Sequence, residues 1–482
     1  MLRTIFFVGY FVILLGIGFV TFRRTKSHED YALAGRSNNM WVTAISATSS
    51  DMSGWLLLGV PGLAYAGGLS AIWTVIGILV GNYFNWVVVS KRLRLITQKY
   101  NAVSLSEYFE KRFNDKKGSI SIISAIIIVV FMIINASAEV IGSGKLLNAS
   151  FNIDYNTAII ISLLIVLVYT FLGGYLAVSW SNLLQGTLIF LALIIVPIAG
   201  LVDVGSIGAL GNNLVAQDSS LLSFFGSDET AFAIFGLVIG GLGIGVGYPG
   251  QPHIMTSYMS IEDPEELRHS TLIAMFWTVI TTYGAVMIGL LGRAIIPTLD
   301  DPETIYLSLV EKLFSSNVIG LFAAAVMAAI LSSVSAYLLV AATSTATNVY
   351  SRIKKDKEGK QSLIVERVAI VIIGVLAFLM SLEGGIVFTV ALFAWGGLAA
   401  SFGPLIIGSL YWKGVNLQGA IASMLTGMVV NLVWYYSGLS QWVYELIPAI
   451  ILSTIVMILV SKVTRGPDEK TRADFEAFRA EL

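Results

Sequence analysis

The residues of this chain best suited to chemistry are a group of hydroxyls, a carboxylate and a glycine inside an apolar segment. They form the run Ser46-Ala-Thr-Ser-Ser-Asp-Met-Ser-Gly-Trp55, with apolar residues on both sides. A hydrocarbon core cannot satisfy loose backbone groups or a charge, so such a polar centre persists only where it lines a protein cavity. A carboxylate near mid-bilayer costs about 2.5–3.5 kcal/mol. Because Asp51 is present despite that cost, the run indicates an ion-binding site.

A second set of hydroxyls could complete such a site. Ala329, Ser332 and Ser333 occupy positions i, i+3 and i+4, and therefore share one face of a helix. Sodium, like other hard cations, prefers oxygen ligands, and an interrupted helix supplies backbone carbonyls that have lost their usual partners. We predict that carbonyls near Ser49 and Met52 face the two hydroxyls. The alternative is that each serine bonds the backbone of its own helix.

A second interrupted helix is predicted at residues 240–252. Five glycines fall within eight residues there, and two prolines follow them. Proline removes a backbone donor and glycine weakens a helix, so this segment should break near its middle. Paired interrupted helices at corresponding positions of two halves indicate the binding site of a secondary transporter. Taken alone, the glycines could equally form a helix-packing face.

The composition predicts an all-α integral membrane protein. Of the 482 residues, 56% are hydrophobic and only 12% are charged, against about a quarter charged in ordinary soluble proteins. The net charge of −1 gives no reason to expect nucleic-acid binding. Cysteine is absent and the three histidines are scattered, which argues against disulfides and against a zinc or catalytic metal cluster.

Apolar runs of about 20 residues are the unit for counting transmembrane helices. Thirteen are predicted, near residues 4–22, 40–67, 70–90, 119–144, 156–175, 180–202, 230–255, 271–295, 317–348, 364–383, 386–411, 417–437 and 441–463. With the N-terminus outside and the C-terminus in the cytoplasm, all but four of the 29 Lys and Arg residues fall on the cytoplasmic side. This asymmetry is the one that the positive-inside rule requires.

The spans group into five predicted segments. An extra helix and loop (1–39) precede a first repeat (40–204), and a second repeat (230–411) is followed by two accessory helices (412–463) and a cytoplasmic tail (464–482). Each repeat holds five helices, and because five is odd the second repeat is inverted relative to the first. Arg36, before the first interrupted helix, is interpreted as a solvated anchor at anionic lipid headgroups.

Several separated motifs carry a family resemblance. They are Leu33-Ala-Gly-Arg-Ser37, Ser50-Asp-Met-Ser-Gly-Trp-Leu56, Gly173-Gly-Tyr-Leu-Ala-Val-Ser-Trp180, Gly247-Tyr-Pro-Gly-Gln-Pro-His253 and the stretch 332–340. Together, and in this order, they resemble the sodium/solute symporter family, most closely its sodium/proline symporters. The resemblance implies a LeuT-like fold, a five-plus-five inverted repeat in which the first helix of each repeat is discontinuous.

The resemblance also implies a sodium site and a solute site. Na⁺ would be held by the positions Ser49, Met52, Ala329, Ser332 and Ser333, while Asp51 acts indirectly through its field and the shape of the break. The solute would lie beside Ser53, Gly54 and Tyr248. The amides at the start of the second half-helix are expected to receive the solute carboxylate.

Three positions depart from the family pattern. Asn182 replaces an aspartate that helps form a second sodium site in some relatives, which argues against a second ion here. Asn135 and Ile244 stand where proline symporters have pocket aromatics. Glu139 lies four residues after Asn135 and shares its helix face, so it is a further candidate for solute binding. The favoured interpretation of Glu139 is nevertheless that it reaches water or Lys145 near the helix end.

The predicted function is sodium-coupled import of a small amino acid, proline or a related zwitterion, across the cell membrane by alternating access. A transporter of another amino acid, such as a cationic one, and a solute sensor on the same fold are the alternatives. No convergent set of catalytic residues favours a membrane enzyme. The expected partners are the small-molecule solute and membrane lipids, and no segment indicates an obligate protein partner.

Overall fold

The computed structural model describes residues 2–22, 27–227, 230–350 and 360–480. Within these ranges the regular structure is helical, apart from one isolated bridge between Asn38 and Ile261. In chain order the α-helices are α1 (Leu2–Phe22), α2 (His28–Leu33), α3 (Met40–Asp51), α4 (Val60–Gly67), α5 (Ile72–Phe84), α6 (Lys91–Lys99), α7 (Leu105–Arg112), α8 (Ser119–Phe151), α9 (Tyr155–Val204), α10 (Ile207–Gln217), α11 (Ala231–Val246), α12 (Pro252–Met259), α13 (Leu267–Ile295), α14 (Ile305–Leu313), α15 (Ile319–Thr345), α16 (Lys360–Ser381), α17 (Val387–Tyr411), α18 (Leu417–Tyr436), α19 (Leu446–Val463) and α20 (Glu469–Ala480).

Eleven helical segments of the described chain are long and apolar enough to cross a membrane. The sequence predicted thirteen spans, and the difference lies in the two interrupted ones. The span at 40–67 is divided between α3 and α4, and the span at 230–255 between α11 and α12. Neither forms one continuous membrane-crossing helix of its own, as the polar and glycine-rich centres indicated.

The first interruption follows α3 at Met52. Met52 has φ −86° and ψ 71°, which is not helical, and the helical conformation resumes at Gly54. From there a π-helical turn, Trp55–Gly59, leads into α4. Wider π turns occur often at functional sites, and this one allows the Trp55 indole nitrogen to donate to the Asp51 carbonyl at 2.9 Å.

The second interruption separates α11 from α12. A short 3₁₀ turn, Tyr248–Gly250, follows α11, and Gln251 is extended at φ −95° and ψ 105°. Pro252 then starts α12, a position where its missing amide hydrogen is not needed. The break therefore occurs where the glycines and prolines predicted it.

Glycines allow α5 and α11 to approach each other through their backbones. A Cβ added at Gly81 would overlap the backbone of Gly245, and one added at Gly245 would overlap the Gly77 carbonyl. Small residues at such spacing bring membrane helices into direct contact. This contact holds the second interrupted helix against the first repeat.

Gly174 divides the long helix α9 into two spans. Its φ of 57° and ψ of −153° are non-helical, and a side chain there would also overlap the ring of Tyr31. The predicted spans at 156–175 and 180–202 meet at this kink. The helix α9 packs against α15, which is almost entirely buried in the bundle.

Candidate functional site

Two serines of α15 contact the carbonyls at the end of α3. Ser332 Oγ donates to the Ser49 carbonyl at 2.8 Å, and Ser333 Oγ donates to the Ser50 carbonyl at 2.9 Å. Both hydroxyls also lie within hydrogen-bonding distance of the Ala329 carbonyl, at 2.8 and 3.4 Å. The serines thus bond their own helix, as the alternative interpretation held, and also bridge to the interrupted helix.

Four of the five predicted sodium positions therefore lie together: Ser49, Ala329, Ser332 and Ser333. Met52, the fifth, caps α3 with its amide bonded to the Thr48 carbonyl, and it takes part in neither serine bond. Its role as a ligand stays a prediction. Ser50 contributes a carbonyl to this cluster that the sequence did not single out.

The chemistry of the cluster fits a hard cation. It offers three backbone carbonyls and two hydroxyls, all neutral oxygens. In the part of the chain that the structure describes, no group of three or more His, Cys, Asp or Glu residues could hold a metal ion. Softer metals that require nitrogen or sulfur ligands find no such set there.

Asp51 connects the two interrupted helices. The Tyr248 hydroxyl donates to its Oδ2 at 2.8 Å, and Asp51 is 1% exposed. The other oxygen, Oδ1, is buried with no hydrogen-bond partner among the described residues. Asp51 thus lies one residue from the carbonyls of the cluster and bonds a residue of the second break. The indirect role of Asp51 at the ion site stays a prediction.

A small cavity lies beside this link. The space free of atoms there is about 400 Å³, including some that is open to solvent. Its walls are Trp55, Asn135, Ile244, Tyr248, Tyr337, Phe388, Ala391, Leu392 and Trp395. Three of the predicted solute residues, Asn135, Ile244 and Tyr248, are therefore brought to one cavity.

Trp395 and Tyr337 are cavity residues that the sequence did not indicate. The Trp395 indole nitrogen donates to the Ile244 carbonyl at 3.0 Å, and its ring meets the Tyr248 ring edge-on at 5.1 Å. The Ile244 carbonyl also accepts the Gly247 amide at 3.1 Å, so Trp395 adds a second donor to a carbonyl at the end of α11. In the sequence both aromatics lie within apolar helices, where they cannot be told from ordinary core residues.

Glu139 lies in the interior, and the interpretation that it reaches water or Lys145 is wrong. Glu139 is 1% exposed, and its Oε2 accepts the Gly54 amide at 2.9 Å. Lys145 instead bonds Glu303 at 2.6 Å and Asp301 at 2.9 Å. A Cβ at Gly54 would lie 2.8 Å from Glu139 Oε2, so glycine permits this approach.

This contact also corrects an expectation about the solute carboxylate. The Gly54 amide begins the second half-helix, and it is already bonded by Glu139. It is therefore not an open anion site in this arrangement. Ser53, between the two halves, is fully buried, and its hydroxyl lies beside the Glu139 carboxylate.

Asn182 lies against the first interrupted helix. Its side-chain nitrogen donates to Ser46 Oγ at 3.1 Å, and its carbonyl accepts from Ser49 Oγ at 3.2 Å. Its own side-chain oxygen is buried and lacks a partner within the described ranges. Asn182 thus borders the cluster, and its bearing on a second ion stays a prediction.

A vestibule adjoins the cavity. This vestibule shares Ile244, Phe388 and Leu392 with the cavity, and its space free of atoms is about 1,470 Å³, open solvent included. Arg36, expected to be a solvated anchor, instead has a side chain only 9% exposed. It donates to the carbonyls of Met259 and Ala102, both at 2.8 Å. These bonds join the segment before α3 to the end of α12 and to the loop after α6.

Two interrupted helices that meet at a buried cavity, with an oxygen cluster beside one of them, define a secondary active transporter. The model of the sodium:solute symporter family matches residues 31–427 of the chain. The chain belongs to this family, and it is therefore a multi-pass membrane transporter of a small molecule with sodium as coupling ion. The family assignment made from the motifs is confirmed.

Curated relatives match along nearly the whole chain. The osmoregulated proline transporter OpuE of Bacillus subtilis is 37% identical, covering 95% of this chain and 94% of the relative. The high-affinity proline transporter PutP of the same organism is 35% identical, covering 97% and 99%. The solved structure of a Na⁺-coupled sialic acid symporter in a substrate-bound outward-open state has a TM-score of 0.83 at 18% identity, covering 97% and 99%. Its similarity confirms the predicted fold class.

Proposed function

We propose that this protein imports proline or another small zwitterionic amino acid together with sodium. The observation that carries this proposal is the position of the oxygen cluster of Ser49, Ser50, Ala329, Ser332 and Ser333. It lies next to the Asp51–Tyr248 link, and Tyr248 is itself a wall of the cavity. Relatives described as proline transporters, at 35–37% identity, support proline as the first solute to test.

In this proposal sodium binds between α3 and α15. The carbonyls of Ser49, Ser50 and Ala329 and the hydroxyls of Ser332 and Ser333 face it, with the Met52 carbonyl as a further candidate ligand. When sodium binds, the two hydroxyls rotate, so that their protons no longer point at the carbonyls to which they donate in this structure. Because the ion would tie α15 to the interrupted helix, its binding favours one arrangement of the two repeats over the other.

The solute would occupy the cavity between the two breaks. Ser53, Gly54, Asn135, Ile244 and Tyr248 are the proposed contacts. Asp51 couples the ion site to the cavity, because its carboxylate accepts a hydrogen bond from Tyr248, which lines the cavity. One sodium entering across a membrane potential of 100 mV releases about 2.3 kcal/mol, which is available for solute accumulation.

The proposed orientation places the N-terminus outside and the C-terminus in the cytoplasm. The vestibule then faces outward, and the bonds of Arg36 close the cytoplasmic side. Lipids cover the exposed apolar side chains of the outer helices, for example Val80, Phe276 and Val463. The division into two five-helix repeats at 40–204 and 230–411 belongs to the same proposal.

Uptake into proteoliposomes tests this function. Labelled proline and a panel of other amino acids are presented with an inward sodium gradient, with equal sodium on both sides, and with potassium in place of sodium. Accumulation of proline or of another small zwitterion that needs the sodium gradient supports the proposal. Absence of gradient-dependent accumulation across the whole panel would contradict it.

A further inference from the structure

We propose that Asn135 and Glu139 together recognise the zwitterion of the solute, a role that rests on the proposed function. The Asn135 amide donates to the solute carboxylate, and the Glu139 carboxylate binds the solute ammonium group. This makes Glu139 the counter-ion that selects an amine-bearing solute over an acid of the same shape.

The placement of the two residues on α8 carries the first step. They are separated by four positions, so their Cβ atoms lie roughly 5–6 Å apart on one helix face. Both side chains are buried, at 4% and 1% exposure. Asn135 lines the cavity, and Glu139 bonds Gly54, the neighbour of the cavity residue Trp55. A donor at the cavity wall and a carboxylate one turn further along α8 therefore lie at the spacing of the two charged groups of an amino acid.

The unsatisfied groups supply the second step. Asn135 Nδ2 is buried and has no hydrogen-bond partner in the described part of the chain. A buried donor without a partner is unfavourable, and a ligand acceptor at the cavity wall removes that cost. The solute carboxylate is such an acceptor. The solute carboxylate cannot accept a hydrogen bond from the Gly54 amide while that amide donates to Glu139.

The charge of Glu139 supplies the third step. The groups that contact it, the Gly54 amide and the Ser53 hydroxyl, are neutral, and no ion pair of the described residues includes it. Lys145, six residues later on α8, is held by Glu303 and Asp301. Burying an unpaired charge is costly, and a positive partner offsets that cost. The cation that fits Glu139 is the solute ammonium group.

Glu139→Gln provides the central test. The glutamine side chain has nearly the same shape and retains an oxygen that can accept the Gly54 N–H, but it lacks the negative charge. Competition against labelled solute at fixed sodium compares L-proline with tetrahydro-2-furoate, in which a neutral ring oxygen replaces the ammonium nitrogen. The wild type should prefer proline by about 10- to 150-fold, the effect of one hydrogen bond to a charged group. Glu139→Gln should remove most of that preference.

Asn135→Leu tests whether Asn135 binds the solute carboxylate. It should weaken binding of proline much more than binding of prolinamide, which has no carboxylate, and thereby lower the preference for proline over prolinamide about tenfold. Glu265→Gln is the matched control, since Glu265 is exposed and pairs with Lys91 far from the cavity. It should leave both preferences unchanged.

Glu139→Asp guards against a variant that fails to fold. This variant retains the negative charge and should retain a preference for proline over tetrahydro-2-furoate. For any variant that does not accumulate solute, ligand binding to the purified protein in detergent replaces the uptake assay. An unchanged preference in Glu139→Gln would overturn the proposal. If the wild type accumulates a different amino acid, that acid and its 2-hydroxy analogue serve as the pair. Failure of the proposed function is recognised separately, as absence of sodium-driven uptake by the wild type.

Discussion

Replacing Tyr248 by phenylalanine isolates the link between the two interrupted helices. The change removes the hydroxyl that donates to Asp51 Oδ2 at 2.8 Å and leaves the ring against Trp395. Since Asp51 Oδ1 already lacks a partner among the described residues, neither carboxylate oxygen keeps a hydrogen bond. A hydrogen bond to a charged group is worth about 1.5–3 kcal/mol, which corresponds to about 10- to 150-fold in affinity.

The assay is solute uptake as a function of sodium concentration in proteoliposomes. Tyr248→Phe should raise both the sodium concentration for half-maximal uptake and the solute KM, because Asp51 adjoins the ion cluster and Tyr248 lines the cavity. Tyr258→Phe is the matched control. Tyr258 is also fully buried and its hydroxyl accepts from Asn85 at 3.1 Å. This control should change the sodium dependence much less.

A rise in the solute KM alone would refute the reasoning about Tyr248. It would mean that the Tyr248 hydroxyl contacts the solute and that Asp51 does not couple the sodium cluster to the cavity. Equal effects of Tyr248→Phe and Tyr258→Phe on sodium dependence would also refute it, because they would indicate a general loss of packing.

Two further predictions concern stability. Gly245→Ala should sharply lower the yield and melting temperature of the purified protein, because its Cβ would overlap the Gly77 carbonyl, whereas Gly240→Ala on the same helix meets nothing closer than 3.9 Å and should be tolerated. Burial lowers the pKa of His28, but the hydrogen bond and charge of Glu366 outweigh it and leave the pKa above the ordinary 6.5. The stabilisation by protonated His28 is therefore full below pH 6.5 and is lost as pH rises through the raised pKa. His28→Gln should lower the melting temperature at acidic pH and leave it unchanged at alkaline pH.

The parts of the fold that the sequence predicted are those with local causes. The break after Asp51 follows from polar residues inside an apolar span, and the break at Tyr248 follows from adjacent glycines and prolines. The hydroxyl face of Ser332 and Ser333 follows from helical periodicity alone. Each of these features depends on residues that are close in the chain, so they needed no knowledge of the packing.

The features that the sequence missed depend on contacts between distant segments. Glu139 meets Gly54 across 85 positions, and the position of Glu139 near a helix end suggested water instead. Whether Ser50 or Met52 turns its carbonyl toward α15 depends on the dihedral angles of the break. Trp395 reaches the Ile244 carbonyl from a helix 151 residues away. No local pattern distinguishes these residues from ordinary core or anchor residues.

The sodium dependence of uptake in three serine variants of α15 tests the central claim most directly. Ser332→Ala and Ser333→Ala each remove a proposed oxygen ligand, while Ser335→Ala removes an equally buried hydroxyl that donates to the Ser332 carbonyl of its own helix. The first two should raise the half-saturating sodium concentration by about 5- to 150-fold, as expected for the loss of about 1–3 kcal/mol, and Ser335→Ala should not. Equal sodium dependence in all three variants and the wild type would contradict a sodium site between α3 and α15.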